Sequence, residues 1–224
     1  MKCDFCDERK GIQTIYNTIY GNYDRLAYET ENFVVFPCMG QLREGHLLIA
    51  SKKHYNALGL LEDSIVNELD SLLKKVCSFI YKEYGKAALV FEHGVFDNSG
   101  KSGGCGIYHL HLHVIPIEDD EQQEVFKEVS EQNNNAIVLA KGLKDTAHFV
   151  KNNETYVFLG KANESGLLSA HIITSNDNYF ESQYMRKIVG NVFGTKNWNW
   201  KENKMPEEEL KKTTEKARRF FESL

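Results

Sequence analysis

Three histidines, His109, His111 and His113, recur at every second position in the segment IYHLHLHVIP, residues 107–116. Alternation with period two is typical of a β-strand, and it predicts that the three imidazoles share one face while leucine and valine occupy the other. A strand rises about 3.3 Å per residue, so the Cα atoms of His109 and His113 would lie roughly 13 Å apart. One metal ion cannot bind all three rings, and the pattern therefore indicates that the histidines have different tasks.

A neutral histidine is suited to attack a phosphorus atom that carries a good leaving group, because its neutral form is abundant near pH 7. A hydrogen bond at one ring nitrogen leaves the lone pair of the other nitrogen directed outward. A neighbouring histidine can bind the phosphate oxygens or protonate the departing group. The alternative is a solvent-facing strand whose histidines have no chemical role.

A glycine-rich loop, DNSGKSGGCG at residues 97–106, comes before the histidine segment. Glycines let a backbone approach a ligand closely and direct its amides at an anion. The loop differs from the phosphate-binding loop of nucleotide triphosphatases, because Val95 stands where that pattern needs glycine and a strand follows instead of a helix. It is either another kind of phosphate loop or a connection between two strands.

Cys3 and Cys6 form a Cys-x-x-Cys pair, which is half of a tetrahedral zinc site. A redox pair would lie at a strand-to-helix junction in a βαβ unit, whereas almost nothing precedes Cys3. His54 and one histidine of the 107–116 segment are candidates to complete a metal site. Free structural thiols are the alternative.

The composition is that of an ordinary globular protein: 224 residues, 42% hydrophobic and 12% aromatic, enough for one large or two small domains. A net charge of −5 and a pI near 5.9 argue against a non-specific grip on nucleic acid or an anionic membrane. The N-terminus has no apolar leader, and no apolar run approaches 18 residues, so we expect a cytoplasmic protein. Five cysteines without an export signal favour metal binding or free thiols over disulfides.

Hydrophobic periodicity predicts an α+β fold in which neighbouring strands pair antiparallel. The composition changes after Pro116, where an acidic run begins, and this predicts a first domain over residues 1–118 and an extension over 119–224. The predicted elements are strands over 28–36, 45–50, 86–91, 155–159 and 170–174, a helix over 62–81 and a closing helix over 205–224.

The segment HLHLHVI, residues 109–115, resembles the His-x-His-x-His-x-x signature of the histidine-triad (HIT) superfamily of nucleotide hydrolases and transferases. FVVFP at 33–37 and REGHLLIASKKH at 43–54 resemble the paired N-terminal strands of that family and the turn after them. The resemblance covers about residues 3–116. It implies a HIT-like fold, an antiparallel sheet with flanking helices, to which a C-terminal α/β extension is added.

The resemblance also implies roles for individual residues. His111 would be the nucleophile and His113 would support the phosphate. The implied nucleotide and phosphate contacts are Asn98, Gly104, Cys105, Gly106, His46 and Cys38. The implied ligands of a structural Zn²⁺ are Cys3, Cys6, His54 and His109.

Three positions depart from the family pattern. Cys38 stands where an acidic residue usually binds the ribose hydroxyls, Cys105 and Gly106 replace the usual Gln and Ser, and Ser51 replaces a proline. The substrate can therefore differ from a standard adenosine polyphosphate. His113 favours a hydrolase, because transferase branches carry Gln at that position.

The resemblance implies a phosphohydrolase that acts at the α-phosphate of a nucleotide conjugate, such as a phosphoramidate or a dinucleoside polyphosphate, through a covalent nucleotidyl-histidine. The alternatives are a non-catalytic, zinc-stabilised nucleotide-binding module, a nucleotidyltransferase of the same superfamily, and an enzyme that uses a metal held by a His-x-His pair. Family members commonly form homodimers.

In the extension, Gln183 and Arg186 lie one turn apart if their segment is helical and could then reach a phosphate, although such residues more often cap a helix or pair on a surface. Trp198 and Trp200 could stack on a base, although packing is the commoner role of such residues.

Overall fold

The computed structural model describes residues 3–95, 107–132, 135–150, 155–175, 179–196, 198–202 and 205–224. Its helices are α1 (Asp4–Arg9), α2 (Ile15–Tyr20), α3 (Asp63–Tyr84), α4 (Asp119–Glu131), α5 (Leu143–Val150), α6 (Tyr184–Val192) and α7 (Glu207–Glu222), with a 3-10 turn at Leu58–Leu60. Its strands are β1 (Tyr28–Glu29), β2 (Phe33–Pro37), β3 (Leu47–Ser51), β4 (Ala87–Val95), β5 (His111–Ile117), β6 (Asn135–Ala140), β7 (Thr155–Asn163) and β8 (Gly166–Ser175).

The strands form one eight-stranded sheet in the order β1-β2-β3-β5-β4-β7-β8-β6. Every neighbouring pair is antiparallel, which confirms the predicted α+β class. β4 pairs with β5 on one side and with β7 on the other. The sheet therefore continues across the boundary that the sequence predicts between residues 118 and 119.

Helices cover both faces of this sheet. On the first face, α3 packs with α5 and α7 over the buried side chains of β2, β3, β4, β5 and β7. On the second face, α1 covers one end and α4 with α6 covers the other. His111 and His113 face the second side, and the space between α1 and α6 is left for the site described below.

The long helix α3 forms for reasons that are readable in the sequence. Buried apolar residues recur three or four positions apart from Val66 to Ile80, so that one face of the helix meets the core. The helix ends at Gly85, whose φ of +66° is a left-handed conformation that glycine adopts without steric cost. The predicted helix over 62–81 is confirmed, with nearly one further turn at its C-terminus.

The predicted strand over 107–116 is wrong at its start. β5 begins at His111, because its pairing with β3 begins at Ala50 and His111. His109 lies in a bend, and its N–H donates to the carbonyl oxygen of Ile107 in a tight local turn. The period-two pattern of the sequence did not predict this turn.

Short elements were the hardest to read from the sequence. α1, α2, β6 and α5 were not predicted, and the strand predicted over 28–36 is divided into β1 and β2 by a turn. The two strands and the closing helix predicted for the extension are confirmed as β7, β8 and α7, within wider or narrower limits. Within the part of the chain that the structure describes, no helix is both long enough and apolar enough to cross a membrane.

Candidate functional site

Four cysteine and histidine side chains meet beside α1. Cys3 precedes this helix, Cys6 lies in it, His54 follows β3, and His109 lies in the bend before β5. The Nδ1 atom of His109 is 3.3 Å from the Sγ atom of Cys3, 3.6 Å from that of Cys6 and 3.3 Å from Nδ1 of His54. Nδ1 of His54 is 3.4 Å from Sγ of Cys6. The structure thus brings together the four predicted metal ligands.

These distances are those of a tetrahedral zinc site. With ordinary Zn–S and Zn–N bond lengths, tetrahedral geometry separates sulfur from nitrogen by about 3.6 Å and two nitrogens by about 3.3 Å. The separations in the cluster lie within a few tenths of an ångström of these values. Two thiols and two imidazoles are also the donor set that zinc prefers, so the residues fit the ion.

The remaining nitrogen of His109 fixes its tautomer. Its Nε2 lies 2.7 Å from the carbonyl oxygen of Ser51, to which Nε2–H donates, and this leaves the Nδ1 lone pair facing the thiols. Burial, followed by the nearby thiol of Cys3, raises the pKa of Cys6 to about 11. A divalent cation would supply the positive charge that two neighbouring thiolates require.

A second chain of hydrogen bonds sets the tautomer of His113. The N–H of Leu42, which can only donate, bonds to Nδ1 of His46 at 3.2 Å. Nε2 of His46 therefore carries the proton and donates to Nδ1 of His113 at 2.8 Å. By the same reasoning, Nε2 of His113 is left as an N–H donor. Burial holds the pKa of both rings well below the ordinary value, so both are neutral near pH 7.

His111 is held in the opposite tautomer. Its Nδ1–H donates to the carbonyl oxygen of His109 at 2.6 Å, which leaves an unprotonated Nε2 with a lone pair. Burial lowers the pKa of His111 below its ordinary value, so the ring is neutral near pH 7. His111 thus offers a lone pair, and His113 beside it offers an N–H donor.

The ring of Phe5 connects the two groups of histidines. It lies between the cysteines in sequence and packs edge-on against His109 and His111, at centroid distances of 5.5 and 5.3 Å. Helix α1, which contains Cys6 and follows Cys3, therefore also supplies a wall of the neighbouring site.

His111 and His113 lie in the wall of a pocket of about 580 Å³, a volume that counts the space open to solvent at its mouth. The first part of the chain contributes Phe5, Cys38 and the two histidines, and the extension contributes Gln183, Arg186 and Trp200. The extension therefore forms one side of the pocket.

The other predicted site residues have different positions. Cys38 lines the pocket, whereas His46 is fully buried behind His113 and does not line it. Asn98, Gly104, Cys105 and Gly106 lie outside the described residues. Sequence reasoning missed Phe5, and it missed His93 and Arg25, which also line the pocket. Position next to Cys6 is the only sequence signal that marks Phe5.

Comparisons with known proteins find similarity in part of this chain. The family model of the HIT domain matches residues 21–120. A HIT-like protein of Chlamydia muridarum is 31% identical over 91 residues, which are 40% of this chain and 68% of the relative. The "Protein hit" of Bacillus subtilis is 26% identical over 90 residues, 40% of this chain and 59% of that protein. The crystal structure of a Zn-bound histidine triad family protein from Mycobacterium smegmatis is 21% identical, with a TM-score of 0.38, over 53% of this chain and 77% of the other.

Proposed function

This chain belongs to the HIT family, and on that premise we propose that it is a nucleotide hydrolase that cleaves a nucleotide conjugate at its α-phosphate through a covalent nucleotidyl-histidine. The observation that carries the proposal is the pair of tautomers in the pocket. The hydrogen bond from Nδ1 of His111 to the His109 carbonyl leaves a nucleophilic nitrogen, and the bond from His46 to His113 leaves a donor beside it.

In the first step, Nε2 of His111 attacks the α-phosphorus and forms a P–N bond. The bond from phosphorus to the leaving group breaks, and the leaving group keeps the electron pair and takes a proton from solvent. The imidazole becomes positively charged, and its Nδ1–H stays bonded to the carbonyl oxygen of His109. Nε2–H of His113 donates to a phosphoryl oxygen, where negative charge increases as the leaving group departs.

In the second step, water attacks the same phosphorus. The P–N bond breaks and returns its electron pair to Nε2 of His111, the nucleoside monophosphate leaves, and one proton of the water passes to solvent. The enzyme returns to its starting protonation state. Transfer of the nucleotidyl group to a phosphate acceptor instead of water would make the same site a transferase.

Cys3, Cys6, His54 and His109 would hold a structural zinc ion, and the proposed chemistry does not pass through it. The ion supplies a rigid junction between α1 and the segment that carries His111. It would keep Phe5 against the pocket and hold the carbonyl of His109 where it bonds to His111.

The experiment that tests the proposal is intact-protein mass spectrometry seconds after mixing with activated nucleotides: adenosine phosphoramidate, an acyl adenylate, diadenosine polyphosphates and sugar nucleotides. We expect an acid-labile mass increase of one nucleotidyl group, followed by release of the nucleoside monophosphate. The increase should be absent in His111→Ala.

Two controls separate loss of chemistry from loss of fold. His111→Ala should retain its zinc and its circular dichroism spectrum, and His148→Ala, on the surface beside Asp63, should form the adduct like the wild type. If no donor gives an adduct or a product although ligands still bind, the hydrolase is contradicted and the non-catalytic binding module is supported. An adduct that also forms in His111→Ala would contradict the assignment of the nucleophile.

A further inference from the structure

Two buried arginines line the pocket, and only one of them has a carboxylate partner. Arg25 is 3% exposed and Arg186 is 4% exposed. Nε and Nη2 of Arg25 donate to the two carboxylate oxygens of Glu8, at 2.9 and 2.7 Å. Among the described residues, no carboxylate lies within ion-pair distance of Arg186. The charge of Arg25 is therefore neutralised, whereas the charge of Arg186 is not.

The partners of Arg186 are polar but carry no carboxylate. Nε donates to the carbonyl oxygen of Trp198 at 2.8 Å, Nη2 to that of Gly40 at 2.6 Å, and Nη1 to the Sγ atom of Cys38 at 3.3 Å. These bonds use three of the five N–H donors of a guanidinium. Burial lowers the pKa of Arg186, but an arginine begins so high that it stays charged. A fixed cation, two of whose N–H donors bond to none of the described residues, thus lies beside His111 and His113.

The rest of the pocket leaves this charge uncompensated. The described lining residues include no aspartate or glutamate. Taking a charge out of water is costly unless an opposite charge replaces the solvent. The pocket therefore favours an anion.

A cation is the less suitable occupant. Cys38, His46 and His113 bring their ligand atoms within 4.8 Å of one another, an arrangement that could hold a metal ion. The guanidinium of Arg186 lies 3.3 Å from the thiol of that group and would repel the ion. His46 and His113 already use the nitrogens that face each other in a mutual hydrogen bond.

We propose that Arg186, a residue of the extension, is the anion-binding residue of this pocket and that it binds phosphoryl oxygens of the substrate. This deepens the proposed function, because it sets the substrate class: a phosphate ester or anhydride that keeps a full negative charge beside His111. A neutral nucleoside would not satisfy the guanidinium. The extension would then complete the site, and its contribution lies about 70 residues beyond the triad in sequence.

Calorimetric titration of the zinc-loaded full chain with inorganic phosphate, adenosine 5′-monophosphate and adenosine tests this assignment. We expect Arg186→Gln to weaken phosphate and monophosphate binding about 10- to 100-fold, the effect of losing a charged hydrogen bond, and to leave adenosine binding unchanged. Arg186→Lys keeps the charge and should lose less than Arg186→Gln. Arg218→Gln is the matched control, because Arg218 pairs with Asp24 away from the pocket, and it should bind phosphate within about threefold of the wild type.

Several outcomes would overturn the proposal. The first is a wild type that binds neither phosphate nor the monophosphate. The second is an Arg186→Gln variant that binds both as tightly as the wild type does. The third is an Arg186→Gln variant that loses as much affinity for adenosine as for its monophosphate, which would indicate a structural role. Tighter phosphate binding by Cys38→Ser would identify the Cys38 thiolate as the counter-ion of Arg186 instead. Phosphate binding can be measured without turnover. If phosphate affinity depends on Arg186 but no covalent adduct forms, the proposed hydrolase activity is contradicted and the role of Arg186 in anion binding is not.

Discussion

His109 and His111 are two residues apart, but their side chains have different neighbours. His109 meets two thiols and another imidazole, a set of donors for a cation. His111 opens into a pocket that it shares with the unneutralised guanidinium of Arg186. The cation cluster (Cys3, Cys6, His54 and His109) and the anion pocket are separated by little more than the ring of Phe5.

The difference arises from which ring nitrogen the backbone occupies. In His109 the carbonyl of Ser51 accepts from Nε2 and leaves Nδ1 as the ligand atom. In His111 the carbonyl of His109 accepts from Nδ1 and leaves Nε2 unprotonated. The same side chain thus presents a different ring nitrogen at each position, because main-chain acceptors select the nitrogen that stays free.

The largest expected effect comes from breaking the cation cluster. Cys6→Ser removes one of four ligands, and we expect the zinc content, measured by inductively coupled plasma mass spectrometry, to fall from one ion per chain to near zero. The melting temperature should fall by roughly 10 °C or more, since metal binding contributes to folding.

Cys38→Ser is the matched control for this prediction, because Cys38 is a buried thiol of the anion pocket. It should keep a full complement of zinc. If zinc is lost from Cys38→Ser and kept by Cys6→Ser, the metal binds in the pocket and the comparison is reversed.

The next effect is on the pH dependence of stability. Burial raises the pKa of Glu92 to about 8, and the hydroxyl of Tyr156 donates to its Oε1 at 3.0 Å. The unfolded chain ionises this carboxyl near pH 4.5. The contribution of the protonated Glu92 to stability is therefore complete below about pH 4.5. It falls as pH rises towards 8 and is absent above that, which changes the free energy of unfolding by on the order of 5 kcal/mol.

Glu92→Gln should remove this decline. Zinc binding has the opposite slope, because cysteines release protons to the metal as pH rises. Urea denaturation of the zinc-loaded protein between pH 5 and 8.5 should thus show stability that rises more steeply with pH in Glu92→Gln than in the wild type. Parallel curves for the two proteins would show that Glu92 is ionised in the folded state.

A smaller effect is expected from the hydrogen bond behind His113. His46→Ala leaves Nδ1 of His113 without its donor, so that the ring can carry its proton on the wrong nitrogen. We expect kcat to fall about 10- to 100-fold, with the zinc content unchanged. His46→Gln, whose amide can donate to His113, should recover part of the activity. Equal losses in both variants would indicate a packing defect rather than a tautomer effect.

The smallest expected effect concerns Gly40. A Cβ atom at this position would lie 2.7 Å from the Cβ of Trp200 and 3.2 Å from Nη2 of Arg186, so Gly40→Ala must displace the extension slightly. Phosphate affinity should fall about two- to tenfold, with zinc content and adenosine affinity unchanged. Gly142→Ala, where an added Cβ meets nothing within 4 Å, is the control. Unchanged phosphate affinity would show that the extension tolerates the shift.

Local patterns in the sequence predicted a large part of this structure. The spacing of apolar residues predicted α3, and family resemblance predicted the four metal ligands that the structure brings together. Alternation predicted that the histidines share a face, but it could not show that His109 turns away before β5 begins, because that depends on where pairing with β3 starts.

Contacts between distant residues were out of reach. The sequence suggested that Arg186 could reach a phosphate if it lay on a helix, but nothing local indicates that it meets Cys38, 148 residues earlier. The same limit applies to β7, which was predicted as a strand although its partner β4 could not be named. Both contacts depend on how far-separated segments pack, and a period-two or 3.6-residue pattern has no information about that.

The pairing of β7 with β4 has a practical consequence for anyone who shortens this protein to its triad-bearing half. β7 covers β4 from Ala88 to Val95. A chain that stopped at residue 118 would expose that whole length of backbone N–H and C=O groups beside apolar side chains, and such a bare edge recruits strands from other copies. We expect the shortened chain to accumulate as aggregates in the expression host, even though it would contain Cys3, Cys6, His54 and His109 and both pocket histidines, His111 and His113.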